Sequence, residues 1–186
     1  MSLNAWLSIG RRKEAAAPAL SFERLFNDHA AYVGRCLRYL GVGESDLEDC
    51  CQEVFLVVHR RLGDLDPEAT VRAWVRQICV HVAQNHRRSR RRRREQPVGE
   101  PVEVARAANQ ESAVEQSELR TTLLEVLDKL SDDQRTVFVL FEIERMPMGE
   151  VATAVGAPLQ TAYSRLHAAR ARVQEAVARM ETGPAS

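Results

Sequence analysis

The chain predicts an all-α protein made of two small helical modules joined by a flexible linker. Three observations lead there. Ala, Leu, Val, Arg and Glu dominate its 186 residues, aromatics are only 5%, and glycine and proline are sparse. Apolar residues recur at three- and four-residue spacing through most of the chain, the period of a half-buried helix. Between about residues 95 and 113 that period lapses into proline, glycine, alanine and glutamate, the composition of a tether.

Residues 1–20 read as a loose tail. Leu3 to Ile9 is apolar but too short to span a bilayer. It is followed, not preceded, by Arg11-Arg12-Lys13, the reverse of a secretory signal. A cytoplasmic protein with no membrane insertion is expected. The first module covers 21–94. Ser21 can cap a helix carrying Phe22, Leu25, Phe26, Val33, Leu37 and Leu40, stopped by Gly41 and Gly43. Ser45-Asp46-Leu47-Glu48 has the form of a capping box. The helix it would start buries Leu47, Cys51, Val54, Phe55, Val58 and Leu62, and shows Asp46, Asp49, Gln52, Glu53 and Arg60. After a loop at Gly63 to Pro67, a third helix carries Val71, Trp74, Val75, Ile78 and Val82. It runs through Asn85 and His86 into seven arginines between Arg87 and Arg94.

The second module covers 114–180, with a short tail at 181–186. Leu119, Leu123, Leu124, Leu127 and Leu130 mark its first helix. Ser131-Asp132-Asp133-Gln134 is a second capping-box pattern, opening a helix through Val137, Phe138, Leu140 and Phe141. Met146 to Arg170 then holds two short amphipathic helices around a tight turn. Met148, Val151, Ala152 and Val155 form one stripe; Gly156-Ala157-Pro158 breaks it; Leu159, Ala162, Leu166, Ala169 and Val173 form the next. The second of these helices opens on Thr161, Tyr163, Ser164, Arg165 and His167, with Arg170 one turn on, and Gly156 to Ala171 contains no acid. Such groups donate to phosphates and base edges, as a helix-turn-helix recognition helix does in the major groove.

The formal net charge is zero, yet residues 1–94 hold 17 basic and 11 acidic groups and the remainder 9 and 15. Neutrality overall is therefore no argument against a polyanionic partner, because local patches set the field DNA meets. The arginine run extends a helix that also carries Trp74, His81, Gln84 and Asn85, placing charge beside groups that stack on or hydrogen-bond to bases. Two nucleic-acid contacts on one tethered chain suit a bipartite DNA site. Four cysteines, Cys36, Cys50, Cys51 and Cys79, form no CxxC pair and sit on or beside apolar stripes. They read as small buried hydrophobes in a reducing compartment. No spacing supports a metal site with His29, His59 or His81, and no cofactor is expected.

From about Ser21 to Arg179 these residues resemble the extracytoplasmic-function (ECF) subfamily of bacterial sigma factors. Asp49-Cys50-Cys51-Gln52-Glu53-Val54-Phe55 is similar to the family's Asp-x-x-Gln-Glu-x-Phe signature. The resemblance implies that Asp49, Gln52 and Glu53 dock on the β′ clamp of core RNA polymerase. Arg72 to Ile78 resembles the segment that melts and captures the promoter −10 element, implying roles for Leu65, Trp74, His81, Asn85, Arg87 and Arg88. Leu130 to Arg170 resembles the fourth-region module, which meets the β flap and reads the −35 element, here through Thr161, Tyr163, Ser164, Arg165, His167 and Arg170. An anti-sigma factor is a further implied partner.

The chain departs from the family pattern in places. Leu65 and Val71 stand where an aromatic is common, and His81 where asparagine often holds a flipped base. Tyr163 and Ala168 replace frequent Lys or Arg, and Pro147 replaces the usual N-cap serine. Base capture at −10 and a different preference at −35 are the expectations. The expected function is a sigma initiation factor that performs no chemistry itself. A free-standing helix-turn-helix regulator would leave Asp49, Gln52 and Glu53 without a role. An RNA-binding adaptor would leave the C-terminal reader without one. An enzyme would need a phosphate loop, metal cluster or nucleophile–base pair that the sequence lacks.

Overall fold

Ser21 accepts a hydrogen bond from the Arg24 backbone N–H at 3.3 Å and so caps α1 (Phe22–Tyr39), as expected. The computed structural model describes residues 21–65, 70–95 and 114–181. The expected tails and nearly all of the tether lie outside the described residues. α1 ends where Gly41 adopts φ +92°, a left-handed conformation that an L side chain resists. The Val42 N–H then bonds back to the Leu37 carbonyl at 3.0 Å.

α2 (Glu44–Arg61) begins earlier than its sequence suggests. Its N-cap is Gly43, without a side-chain cap, so the capping box expected at Ser45 to Glu48 does not form. Arg38 of α1 grips the Glu44 carboxylate at 2.6 and 3.3 Å, which draws Glu44 into the first turn, where the helix dipole favours an anion. A single 3₁₀ turn (Leu62–Asp64) follows, and α3 (Val71–Glu95) then runs unbroken for 25 residues, carrying the arginine run as helix. Leu25, Val33, Cys36, Leu37, Val54, Val58, Val75, Cys79, Val82 and Ala83 fill the core between these three helices.

The second module contains α4 (Val114–Leu127), α5 (Asp132–Phe138), α6 (Met148–Val155) and α7 (Leu159–Glu181). The second capping box is real: Ser131 and Gln134 exchange side-chain to backbone hydrogen bonds at 3.2 and 3.4 Å. Two stripe positions fail. Leu119 is 72% exposed and Leu159 is 49% exposed, each in the N-terminal half of its helix. The helix expected to continue through Phe141 instead widens into a π-turn over Val139–Ile143. α6 and α7 cross as a helix-turn-helix. Pro147 occupies the N-cap position of α6, and Gly156 takes φ +64° in the turn. Val151, Ala152, Ala162, Leu166 and Ala169 are buried between the two helices.

The two modules are packed against each other. Arg135, buried in α5, reaches the C-terminus of α1. Its Nε donates to the Tyr39 carbonyl at 2.7 Å and one terminal nitrogen to the Arg38 carbonyl at 2.8 Å. The other terminal nitrogen meets the Asp128 carboxylate at 2.5 Å. A cation there satisfies helix carbonyls left over at the C-terminus and complements the negative dipole end. Arg135→Ala should lower stability by about 2–3 kcal/mol in urea unfolding, since it strands charge-assisted bonds. Arg135→Lys should recover only part, because a lysine cannot span all three acceptors.

Candidate nucleic-acid interface

α2 separates its two faces cleanly. Leu47, Cys50, Val54 and Val58 are buried, while Asp49, Gln52 and Glu53 project into solvent one helical turn apart. Phe55 is core, as expected, with 7% exposure. Sequence reasoning missed the apolar groove beside this face. Phe22, Phe26, Ala30, Phe55, Leu56 and His59 line a cavity of about 700 Å³ that also borders Glu48, Cys51 and Gln52. Phe26 and Leu56 are 42% and 48% exposed, and the Phe26 and Phe55 rings sit 4.6 Å apart. An exposed apolar groove edged by acids fits a protein surface rather than DNA.

The positions expected to meet the −10 element are spread along α3 and the loop before it. Leu65 closes the 3₁₀ turn and is half-exposed, Trp74 is half-buried, and His81, Asn85 and Arg88 are exposed. His81 faces α6 across a gap of about 360 Å³ lined by Gln77, Val80, Gly149, Glu150, Thr153 and Ala154. Arg87 differs from its neighbours. Its guanidinium donates to the Asp132 carbonyl at 3.1 Å and to Thr136 Oγ1 at 2.9 Å, and lies 3.8 Å from the Asp132 carboxylate. Burial pulls its pKa down from the ordinary arginine value, with Asp132 opposing the shift. In this arrangement Arg87 bridges the modules.

The −35 set sits together on α7. Thr161, Tyr163, Ser164, His167 and Arg170 are exposed, and Leu166 and Ala162 face α6, as their spacing implies. Tyr163, Ser164, His167 and Arg170 border a shallow cavity of about 350 Å³ with Phe141 and Gln160. Both arginines are paired within the module. Arg165 meets Asp133 at 2.5 Å. Arg170 meets Glu142 at 2.6 Å and lies 5.6 Å from the centre of the Phe141 ring. The Ser164 hydroxyl donates to the Gln160 carbonyl at 3.0 Å.

The sequence also gave no sign of Glu144. It follows the π-turn and its side chain is only 7% exposed. It accepts a hydrogen bond from the Tyr32 hydroxyl at 2.8 Å, with Arg76 at 3.5 Å and Arg72 at 3.8 Å. Burial pushes the Tyr32 phenol pKa far up, with smaller contributions from Cys36 and Glu144, so it stays a donor. Arg72 also stacks over the Tyr32 ring, 4.4 Å from its centroid. The cysteines carry no such chemistry. Cys36, Cys50 and Cys79 are buried and Cys51 half-buried, with burial pushing the Cys50 thiol up to about 11. Among the described residues no cluster of His, Cys, Asp or Glu could hold a metal, and no helix is long and apolar enough to cross a membrane.

A three-helix module ending in a basic helix, followed by a helix-turn-helix module with an open recognition helix, defines a two-reader class of helical DNA-binding proteins. Residues 25–93 match the family model for Sigma-70 region 2, and residues 120–173 that for Sigma-70, region 4. The chain belongs to the sigma-70 family, in its ECF branch. It is 30% identical over 168 residues to the ECF RNA polymerase sigma factor SigE of Mycolicibacterium smegmatis, covering 89% of this chain and 64% of that protein. It is 29% identical over 161 residues to the RNA polymerase sigma factor CnrH of Cupriavidus metallidurans, covering 82% and 84%. The chain thus spans just under two thirds of the first relative and most of the second. The fold is also that of the Bartonella quintana sigma factor RpoE, solved with the anti-sigma factor NepR, at TM-score 0.65 and 20% identity over 84% of this chain and 96% of that one.

The burial of Leu166 separates scaffold from reader on α7. Leu166→Asp should abolish the cooperative thermal transition of the second module, because it buries an unpaired charge. Ser164→Ala, on the exposed side, should leave the melting temperature within about 1 °C, as surface changes usually do.

Proposed function

We propose that the chain is a bacterial sigma initiation factor, which joins core RNA polymerase, brings it to a bipartite promoter and helps open the DNA. The observation that carries this reading is the order of the two matched regions in one chain. A free-standing regulator would need the second region alone. Asp49, Gln52 and Glu53, with the apolar groove beside them, form the polymerase-docking face on the β′ clamp, and the second module meets the β flap. The chain works in the cytoplasm, performs no chemistry of its own and needs no cofactor. An anti-sigma factor that covers the polymerase-docking faces is its second protein partner, by analogy with the RpoE–NepR pair.

The mechanism is binding energy. α7 anchors the complex by major-groove contacts at −35, with Thr161, Tyr163, Ser164, Arg165, His167 and Arg170 toward the DNA. α3 holds unpaired bases of the −10 element near Trp74, His81 and Asn85, while Arg88 and the run beyond it neutralise phosphates. Leu65 closes the pocket from the preceding loop. Opening is favoured when bases gain protein contacts that replace stacking.

Run-off transcription with purified core polymerase tests the reading directly. Asp49→Ala with Glu53→Arg should keep the wild-type melting temperature, since both side chains are exposed, yet lose co-purification with core polymerase. Unchanged binding would remove α2 from the interface. For the second reader, promoter activity across a randomised −35 library is the measurement. Ser164→Ala and Arg165→Ala should each cost about 1–3 kcal/mol of discrimination at particular positions. A uniform drop with unchanged preference would make them backbone contacts.

A further inference from the structure

We infer that Phe141, which lies outside the recognition helix, is a specificity-determining residue: with Tyr163 it walls an apolar site for the 5-methyl group of one thymine in the −35 element. The inference rests on the reading of α7 as the −35 reader.

The site is the shallow cavity of about 350 Å³ between the π-turn and α7. Its position is the first argument. Tyr163, Ser164, His167 and Arg170 border it, and all four are exposed members of the set that faces DNA, so a duplex seated on α7 covers the cavity. Its chemistry is the second. The Ser164 hydroxyl donates back to the Gln160 carbonyl at 3.0 Å, and Glu142 draws the Arg170 guanidinium to itself, with Nε at 2.7 Å and a terminal nitrogen at 2.6 Å. What is left toward the space is mostly carbon, from the Phe141 and Tyr163 rings and Leu166. Tyr163 is 48% exposed, a large ring left open beside other apolar surface, and such patches mark places where a partner sits. The backbone is the third. Phe141 belongs to the π-turn over Val139–Ile143, and single wide turns of this kind recur at functional sites.

The occupant follows from what DNA can offer. The major groove displays hydrogen-bond donors and acceptors from every base pair but one apolar group, the 5-methyl of thymine. A carbon-lined space on a helix that enters this groove therefore favours thymine, and no other base gains from it. Gln160, exposed at the same space, carries the amide that pairs with N6 and N7 of adenine. Both partners of an A·T pair thus have a counterpart here.

The test uses holoenzyme formed from the full chain and core polymerase, on a promoter carrying the −35 sequence preferred in the randomised library. Each thymine of that element, on either strand, is replaced in turn by deoxyuridine, which removes the methyl and nothing else. At one position the wild type should lose about three- to fourfold in equilibrium affinity, the fold-change that burying one methyl-sized group is worth. Phe141→Ala should remove that penalty, and Phe141→Leu, which keeps an apolar wall, should retain most of it. Tyr163→Ala should also reduce it, and carries the test if Phe141→Ala does not fold. Each variant is compared with itself on the two DNAs, so a general loss of affinity cancels. A preferred element with no thymine whose methyl matters overturns the inference, as does a deoxyuridine penalty undiminished in the variants. Holoenzyme with no −35 preference at all removes the reading of α7, whereas a preference blind to deoxyuridine removes only the methyl site.

Discussion

The arrangement of the whole molecule depends on one side chain, Arg135, driven into the C-terminal carbonyls of α1. Helix ends leave carbonyls without internal partners, and a guanidinium offers five donors in a fixed plane. Arg135 bonds the Arg38 and Tyr39 carbonyls at 2.8 and 2.7 Å while Asp128 holds its remaining nitrogen. The same arginine lies against the turn after α1: a side-chain carbon at Gly41 would meet the guanidinium at 3.5 Å, an ordinary contact, so it is the φ of +92° that favours glycine there. Once α5 is fixed there, the rest follows from geometry. The start of α5 brings Asp132 and Thr136 under Arg87, and the π-turn at its end brings Glu144 to Tyr32.

What could be read from sequence divides along the range of the interaction. Helices with a regular apolar stripe were legible, because a local period fixes which face is buried; the Ser131 box and the Gly156 turn were legible for the same reason. The start of α2 was not, because Arg38 of another helix competes with a local capping pattern. Leu119 and Leu159 fit a stripe yet stay exposed among the described residues, because a local period does not say whether another element lies against it. The π-turn leaves no spacing signature, since its residues Val139, Leu140, Phe141 and Ile143 are apolar whichever way the chain winds. The candidate readers on α3 and α7 were found through residue type and motif order. Glu144, Arg135 and Tyr32 could not be found so. The bond between Tyr32 and Glu144 joins residues 112 apart, and no local pattern announces such a partner.

The charge asymmetry takes on a second meaning in the folded molecule. A basic first half and an acidic second half suggested a polyanionic partner for the former. Among the described residues, the acids of the second module are that partner in this arrangement: Asp132 and Glu144 meet Arg87, Arg72 and Arg76 across the interface. Asp133 and Glu142 do the same for Arg165 and Arg170 within the second module. These latter pairs are half-exposed and screened by salt, so each contributes only about 0–1 kcal/mol and yields readily to a phosphate. Of the pairs on α3, Arg76 with Glu144 is the driest, at 13% and 7% side-chain exposure, whereas Arg72 and Asp132 are themselves more than half exposed.

The two readers differ in how much of each is covered by the packing of the modules. α7 presents Thr161, Tyr163, Ser164 and His167 to solvent with the modules closed, while Arg72, Arg76 and Arg87 are held. A partner that binds both modules in a separated geometry must supply the free energy of parting them, and shifting a two-state equilibrium from 1:99 to 99:1 takes about 5.5 kcal/mol of differential affinity. A large protein surface can provide that through the exposed groove at Phe26 and Leu56 and the acids of α2, none of which the closed interface covers. The exposed face of α2 lies away from the interface between the modules and so stays open while the modules are packed together.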